Sequence, residues 1–397
     1  MLDAATIATF VVAGLASLFM AWSIGAGSSG STPFAPAVGA NAISVMRAGF
    51  VVGILGFAGA VLQGQGVAEA VGEQLVRFPA GGGLTAIAAT VGLLIAGVLV
   101  AVGIFAGYPI ATAFTVTGAV VGVGLAMGGQ PAYEKYQVIV AMWVAVPFVG
   151  GGAAYAVARL LRAERVSERI AVPILAGVVG VIVANVGFVL LGPSPEVSWS
   201  IARTLAHSLP GPTVPVTVAV SVAIGALCAV VLARDMARDE NAGQRHFLLV
   251  LGGLVAFSAG GSQVGLAVGP LAPLLSDYAV PAIAILVGGG LGLLAGSWTG
   301  APRMIKALSQ DYSSLGPRRS IAALIPSFAI AQTAIFVGVP ISFNEIIVSA
   351  IIGSGYAAGG AGVSRKKMVY TVLAWAGSLA LAFVVSYLGY LAVAAIL

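Results

Sequence analysis

The chain has 397 residues, of which 59% are hydrophobic and only 8% charged, with a formal net charge of +5 and a mean hydropathy of +1.07. A soluble domain carries about 25% charged residues, so this chain cannot cover a water-facing surface and reads as a polytopic, all-α membrane protein. The excess of basic residues is no sign of a nucleic-acid partner, because they sit in short loops between apolar runs and report topology instead.

Apolar runs of about 20 residues, long enough to cross about 30 Å of hydrocarbon, recur from end to end. They lie near 2–22, 45–64, 84–106, 107–129, 136–158, 170–191, 212–233, 247–261, 278–299, 320–337, 338–362 and 369–396, about 12 spans. The first run, Ala4 to Trp22, follows Asp3 with no basic segment before it, and so reads as a retained span, not a cleaved signal. Two stretches rich in Gly, Ser and Pro, 25–44 and 262–277, fit poorly as spans and are expected to be re-entrant hairpins; Asp277 closes the second near the outer surface. The one cysteine, Cys228, lies inside an apolar run and excludes a disulfide within the chain. His207 and His246 are too few and too distant for a metal cluster. No metal, cofactor or nucleotide loop is expected, and no nucleophile–base pair points to an enzyme.

The charges fix a topology. Arg159, Arg162, Arg165 and Arg169 share one loop, Arg234, Arg238 and Arg245 a second, and Arg303, Lys306, Arg318 and Arg319 a third. Arg365, Lys366 and Lys367 make a fourth, and Arg47 follows the first hairpin stretch. With both hairpins returning to the side they enter from, all of these fall on one face. Of the 18 Lys and Arg residues, only Arg77, Lys135 and Arg203 fall on the other. Positive residues favour the cytoplasm, so the four loops are expected inside a cell membrane and both termini outside.

The chain also repeats itself. Gly27-Ser28-Ser29-Gly30-Ser31-Thr32-Pro33-Phe34-Ala35-Pro36 aligns with Gly261-Ser262-Gln263-Val264-Gly265-Leu266-Ala267-Val268-Gly269-Pro270. Gly107-Tyr108-Pro109-Ile110, running on to Gly124, aligns with Gly338-Val339-Pro340-Ile341, running on to Gly355. On the expected topology each pair enters the membrane from opposite sides. Inverted repeats with Gly/Pro-interrupted helices are the construction of secondary transporters, with the substrate held near the midplane at the repeat interface. The expected organisation is a first repeat over 1–161, connecting helices and loops over 162–245, and a second repeat over 246–397.

Non-helical backbone at membrane depth is tolerated where it lines a cavity or is buried in protein, and a helix N-terminus carries about half a positive charge. Two hairpins meeting from opposite sides would therefore cradle an oxyanion. The candidate substrate residues are Gly27, Ser28, Ser29, Gly30, Ser31, Thr32, Thr112, Gly261, Ser262, Gln263, Ser342 and Asn344. Their hydroxyls and amides supply hydrogen bonds, and their glycines let backbone come close to a ligand. Glu345 is the one acidic residue inside a motif, and an ionisable group at that depth is a functional candidate by default.

These motifs resemble the inorganic phosphate transporter (PiT) family, whose blocks read approximately G-A-N-D-x-A-N-A-x-G-P-L-A and G-x-P-[IV]-S-T-T-H in each half. Val264, Ala267, Gly269, Pro270, Leu271 and Ala272 fit the first block, and Gly107-Tyr108-Pro109-Ile110 and Gly338-Val339-Pro340-Ile341-Ser342 fit the second. The family's Asn-Asp becomes Ser28-Ser29 and Ser262-Gln263, and its Ser-Thr-Thr-His becomes Ala111-Thr112-Ala113-Phe114 and Ser342-Phe343-Asn344-Glu345. In the family the aspartates resemble sodium-coupling ligands, and a branch lacking them consists of sulfate permeases. The resemblance therefore implies a secondary permease for a tetrahedral oxyanion, sulfate first; proton coupling is expected from the residues themselves, because Glu345 is the one titratable side chain in a motif, with Gln263 as a further coupling-ion ligand. A sodium-coupled phosphate symporter is the alternative within the family, and a passive anion channel the alternative from another class. Membrane lipid is the expected surroundings, and the sequence allows a homodimer.

Overall fold

The computed structural model describes residues 4–79, 81–194, 197–276, 278, 280–310, 312, 315–359 and 363–396, so Asp277 lies outside the described residues. The described chain is almost wholly helical. Its first series comprises α1 (Ala4–Ile24), α2 (Ala35–Gly39), α3 (Val45–Gln63), α4 (Gln65–Glu73), α5 (Ala86–Ala106), α6 (Thr112–Ala126) and α7 (Tyr133–Arg162). Three helices follow: α8 (Glu168–Asn185), α9 (Ile201–Ser208) and α10 (Thr213–Arg238). The last series comprises α11 (Glu240–Val268), α12 (Ala272–Ser276), α13 (Ala282–Thr299), α14 (Ala301–Gln310), α15 (Pro317–Phe336), α16 (Phe343–Tyr356) and α17 (Arg365–Ala394).

The first and last series match helix for helix in order and nearly in length. Their packing also survives exchange of one for the other. Helix α1 packs on α5 and α13, as α11 packs on α15 and α3; α6 packs on α17, as α16 packs on α7; α2 packs on α14, as α12 packs on α4. Small residues set these approaches. A side chain at Gly122 would run into the backbone of Phe383, and one at Gly353 into the backbone of Gly151, at matched crossings of α6 with α17 and α16 with α7. Close backbone approach through small residues is how membrane helices associate where no hydrophobic difference drives them together.

Among the described residues, ten helices are long and apolar enough to cross a membrane, fewer than the 12 runs of the sequence. The difference lies in α6 and α16, of 15 and 14 residues. At 1.5 Å per residue they rise about 21–23 Å, short of a bilayer core of about 30 Å. A second correction concerns 247–277: α11 does not break at Gly261 but continues as helix to Val268, followed by a single 3-10 turn at Gly269–Leu271. Helix α11 is also the most enclosed of the ten, with 72% of its most apolar stretch buried against 17% for α10, which lies at the periphery.

The basic loops gather at one end. Arg169 Nε donates to Glu240 Oε2 at 2.8 Å, Gln244 Nε2 donates to Glu168 Oε2 at 2.7 Å, and Arg318 pairs with Glu168. A cavity of about 740 Å³ lined by Arg162, Asn241 and Arg319 among others joins three of the four loops, and Ser364 N donates to Tyr312 O at 3.3 Å beside the fourth. Arg77 instead pairs with Glu134 at 3.1 Å, where the two-residue strands β1 (Val76–Arg77) and β2 (Gln130–Pro131) meet.

Candidate functional site

Helices α5 and α15 end in the same way. Gly107 and Gly338 adopt left-handed backbone with φ of 75° and 59°, a conformation that glycine enters without a Cβ penalty. In each, the glycine N–H returns to a carbonyl three residues back (Ile104 and Ile335) and the next N–H to one five back (Gly103 and Ala334). Pro109 and Pro340 follow, and a new helix begins at Thr112 and at Phe343. Neither new N-terminus is capped by a side chain, so α6 and α16 present two positive helix ends.

Helix α1 unwinds differently. It passes into a π-helical turn at Gly25–Ser29, and Ser28 O then accepts from Ser31 N, Thr32 N, Ser31 Oγ and Thr32 Oγ1 at 3.0, 3.0, 3.2 and 3.0 Å. The hydroxyls of Ser31 and Thr32 are thus engaged in closing this turn.

All four motifs meet at Gln263. Thr112 Oγ1 donates to Gln263 Oε1 at 2.7 Å and Ser28 Oγ donates to the same oxygen at 3.2 Å, while Gln263 Nε2 donates to Ile341 O at 2.6 Å. Asn344 Nδ2 donates to Gly27 O at 3.0 Å and Ile110 O at 2.6 Å. Each amide faces a carbonyl that only its nitrogen can satisfy, which fixes its orientation. Ser28, Ser29, Thr112, Ser262, Gln263, Ser342, Asn344 and Glu345 are all buried. Four polar atoms of the second-half motifs, Ser262 Oγ, Ser342 Oγ, Asn344 Oδ1 and Glu345 Oε2, make no hydrogen bond to protein. Buried polar atoms are almost always paired, and these four fall within two short segments; Ser23 Oγ and Thr117 Oγ1, beside and within the first-half motifs, likewise have no protein partner.

The structure therefore brings together Ser28, Thr112, Gln263, Ile341 and Asn344, and leaves Ser262, Ser342 and Glu345 with unspent capacity beside them in the chain. It also revises the cradle. Gly27–Ser29 and Gly261–Gln263 lie toward the C-terminal ends of α1 and α11, so the positive helix ends come from α6 and α16 alone. The motif glycines meet protein: a Cβ at Gly27 would fall 2.7 Å from Ile104 Cγ1, one at Gly261 would fall 2.8 Å from Gln63 Cβ, and one at Gly30 would strike Gly25 O. Among the described residues, no group of three or more His, Cys, Asp or Glu is placed to hold a metal ion.

Sequence reasoning missed the indoles. Trp143 Nε1 donates to Pro340 O at 2.9 Å, and Trp375 Nε1 donates to Pro109 O at 2.8 Å. Each break is thereby held by the last helix of the other series. Phe114 stacks on Trp143 with centroids 3.9 Å apart and meets Trp375 edge-on at 6.5 Å. The signal was available, since Trp143 and Trp375 occupy matched positions and the chain has only 5 Trp. Lys135 was also missed; its Nζ donates to Gly338 O at 3.1 Å.

A family model described as the phosphate transporter family matches residues 24–386. A Chlamydia pneumoniae protein named as a phosphate permease is 25% identical, covering 91% of this chain and 92% of its own. The chloroplastic inorganic phosphate transporter 2-1 of Arabidopsis thaliana is 25% identical over 91% of this chain and 68% of its own. A solved structure titled "The sodium-dependent phosphate transporter" superposes with a TM-score of 0.82 at 21% identity, covering 98% of this chain and 100% of that one. At that identity the likeness shows the fold.

Proposed function

The chain belongs to the phosphate transporter family, and from that premise we propose that it is a secondary permease for inorganic phosphate. The relatives above are named for phosphate, and none of those names supports the sulfate preference that the missing aspartates suggested. A physical observation favours phosphate as well. Asn344 Oδ1 is an acceptor at any pH, it is buried, and its own amide nitrogen is held by two carbonyls. Phosphate near neutral pH carries a proton and can donate to it; sulfate offers only acceptors. A buried acceptor left unpaired costs about 1–3 kcal/mol, and Glu345 Oε2 would add to that cost whenever its carboxyl is ionised. The free hydroxyls of Ser262 and Ser342 and the helix ends of α6 and α16 supply donors to the remaining oxygens.

We read the two matched series as inverted repeats, with the four basic loops in the cytoplasm, both termini outside, and the segments around α2 and α12 as re-entrant. The gathering of those loops at one end supports this. For coupling, a sodium gradient takes its support from the name of the structural neighbour. A proton gradient is the second reading, favoured by Glu345, the carboxyl buried within a motif. Radiolabelled phosphate uptake into proteoliposomes, with sodium and proton gradients imposed separately, tests both. Uptake driven by either gradient supports the permease; concentrative uptake of sulfate in place of phosphate overturns the substrate.

A further inference from the structure

Two grooves on the outer flank of the molecule are matched across the halves. One, of about 420 Å³, runs between α7, α16 and α17 and is walled by Phe148, Tyr155, Val372 and Trp375. The other, of about 380 Å³, runs between α6, α7 and α17, with Trp143 at the matched place. Both α7 and α17 are long and apolar enough to span a membrane, so what fills these grooves at membrane depth is hydrocarbon.

Their mouths differ. The first groove reaches Met368 in the opening turn of α17, directly after the exposed Arg365 and Lys366. On α7 it reaches Tyr155, one turn before the exposed Arg159. None of these three cations forms an ion pair among the described residues. The second groove has Lys135 at its mouth, beside the lining residue Tyr136, but that ammonium is turned inward onto Gly338 O at 3.1 Å. Only the first groove thus ends beside exposed cations without an ion pair, of which Lys366 lies over the Tyr370 ring at 6.0 Å. From Met368 to Trp375, α17 rises about 10 Å, room for the upper part of an acyl chain.

We propose that the groove between α7, α16 and α17 binds one anionic phospholipid, its phosphate on Arg159, Arg365 and Lys366 and an acyl chain along Met368 to Trp375. Basic clusters next to membrane spans attract anionic headgroups, and here the cluster sits where a chain can enter. The chain then rests against Trp375, whose indole holds Pro109 O, so the lipid completes one wall behind the first-half break.

Native mass spectrometry of the full chain, reconstituted in equal parts phosphatidylglycerol and phosphatidylcholine, tests this without reference to transport. The expected result is one phosphatidylglycerol retained in preference to phosphatidylcholine. Gly152→Leu fills the groove, and because a Cβ at Gly152 meets nothing within 4 Å the variant should fold and lose the retained lipid. Arg365→Ala with Lys366→Ala, changing two exposed residues, should abolish the preference for phosphatidylglycerol. Ala380→Leu, in the matched groove, should leave retention unchanged. Absence of a preference in the parent protein, persistence of the preference in the double charge variant, retained lipid in a folded Gly152→Leu, or equal loss in Ala380→Leu would each overturn the proposal.

Discussion

In the first half, the hydroxyls of Ser28, Ser31, Thr32 and Thr112 all donate to acceptors of the protein itself. In the second, Ser262 Oγ, Ser342 Oγ, Asn344 Oδ1 and Glu345 Oε2 have no protein partner. Yet the two backbones are held alike, by a left-handed glycine, a proline, and an indole from the opposite series. The scaffold is thus alike in the two halves, while of the candidate binding residues those with unpartnered atoms lie in the second; in the first half the unpartnered hydroxyls are those of Ser23 and Thr117. At the position where the second half carries Glu345, the first carries Phe114, packed between the two indoles.

Removing the residue that joins the halves should break this arrangement most severely. Gln263→Leu strands Ile341 O and leaves Ser28 Oγ and Thr112 Oγ1 only their long 3.5 Å contact with each other, at about 1–3 kcal/mol for each unpaired group. Phosphate uptake should fall below detection, with a fall in thermal midpoint measured in detergent. Uptake at parental levels would show that the junction of the halves is dispensable.

A paired set sharpens the division of labour. Ser262→Ala and Ser342→Ala remove hydroxyls with no protein partner, so each should weaken phosphate affinity about tenfold or more, as expected for a lost hydrogen bond to a charged group, while the thermal midpoint holds. Ser31→Ala and Thr32→Val remove hydroxyls that close the Ser28 turn, so each should lower stability by about 1 kcal/mol and leave affinity nearly unchanged. Isothermal titration with phosphate, alongside melting curves, reads both. The reverse pattern would move the binding chemistry into the first half.

The indoles should show the symmetry that the hydroxyls lack. Trp143→Phe and Trp375→Phe each leave one proline carbonyl unpaired, and the two should destabilise by similar amounts, about 1–3 kcal/mol, in thermal melts. A large effect from only one would mean that the halves differ in scaffold as well as chemistry.

Much of this was legible in the sequence because interrupted helices must announce themselves: Gly107, Pro109, Gly338 and Pro340 could not lie within regular helix at membrane depth without a reason. That the four motifs meet also followed from their repetition. The unbroken course of α11 was not legible. A glycine at 261 permits a break, but it equally permits the close contact it makes with Gln63, and nothing local separates the two. The same ambiguity made α6 and α16 look like full spans, since apolar residues after Ala126 and Tyr356 extend the hydropathy past the end of the helix. The preference for sulfate rested on two absent aspartates. It left out the amide oxygen Asn344 Oδ1, which on the reading proposed above accepts a hydrogen bond from the O–H of a protonated phosphate.

That last point is the centre of the account, and competition decides it most directly. Labelled phosphate uptake into proteoliposomes is measured against rising unlabelled sulfate and unlabelled phosphate. Phosphate should displace the label at concentrations at least ten times lower than sulfate, the ratio that about 1.4 kcal/mol from one satisfied buried acceptor provides. Displacement by sulfate at equal or lower concentrations would contradict the account and return the site to a fully ionised oxyanion.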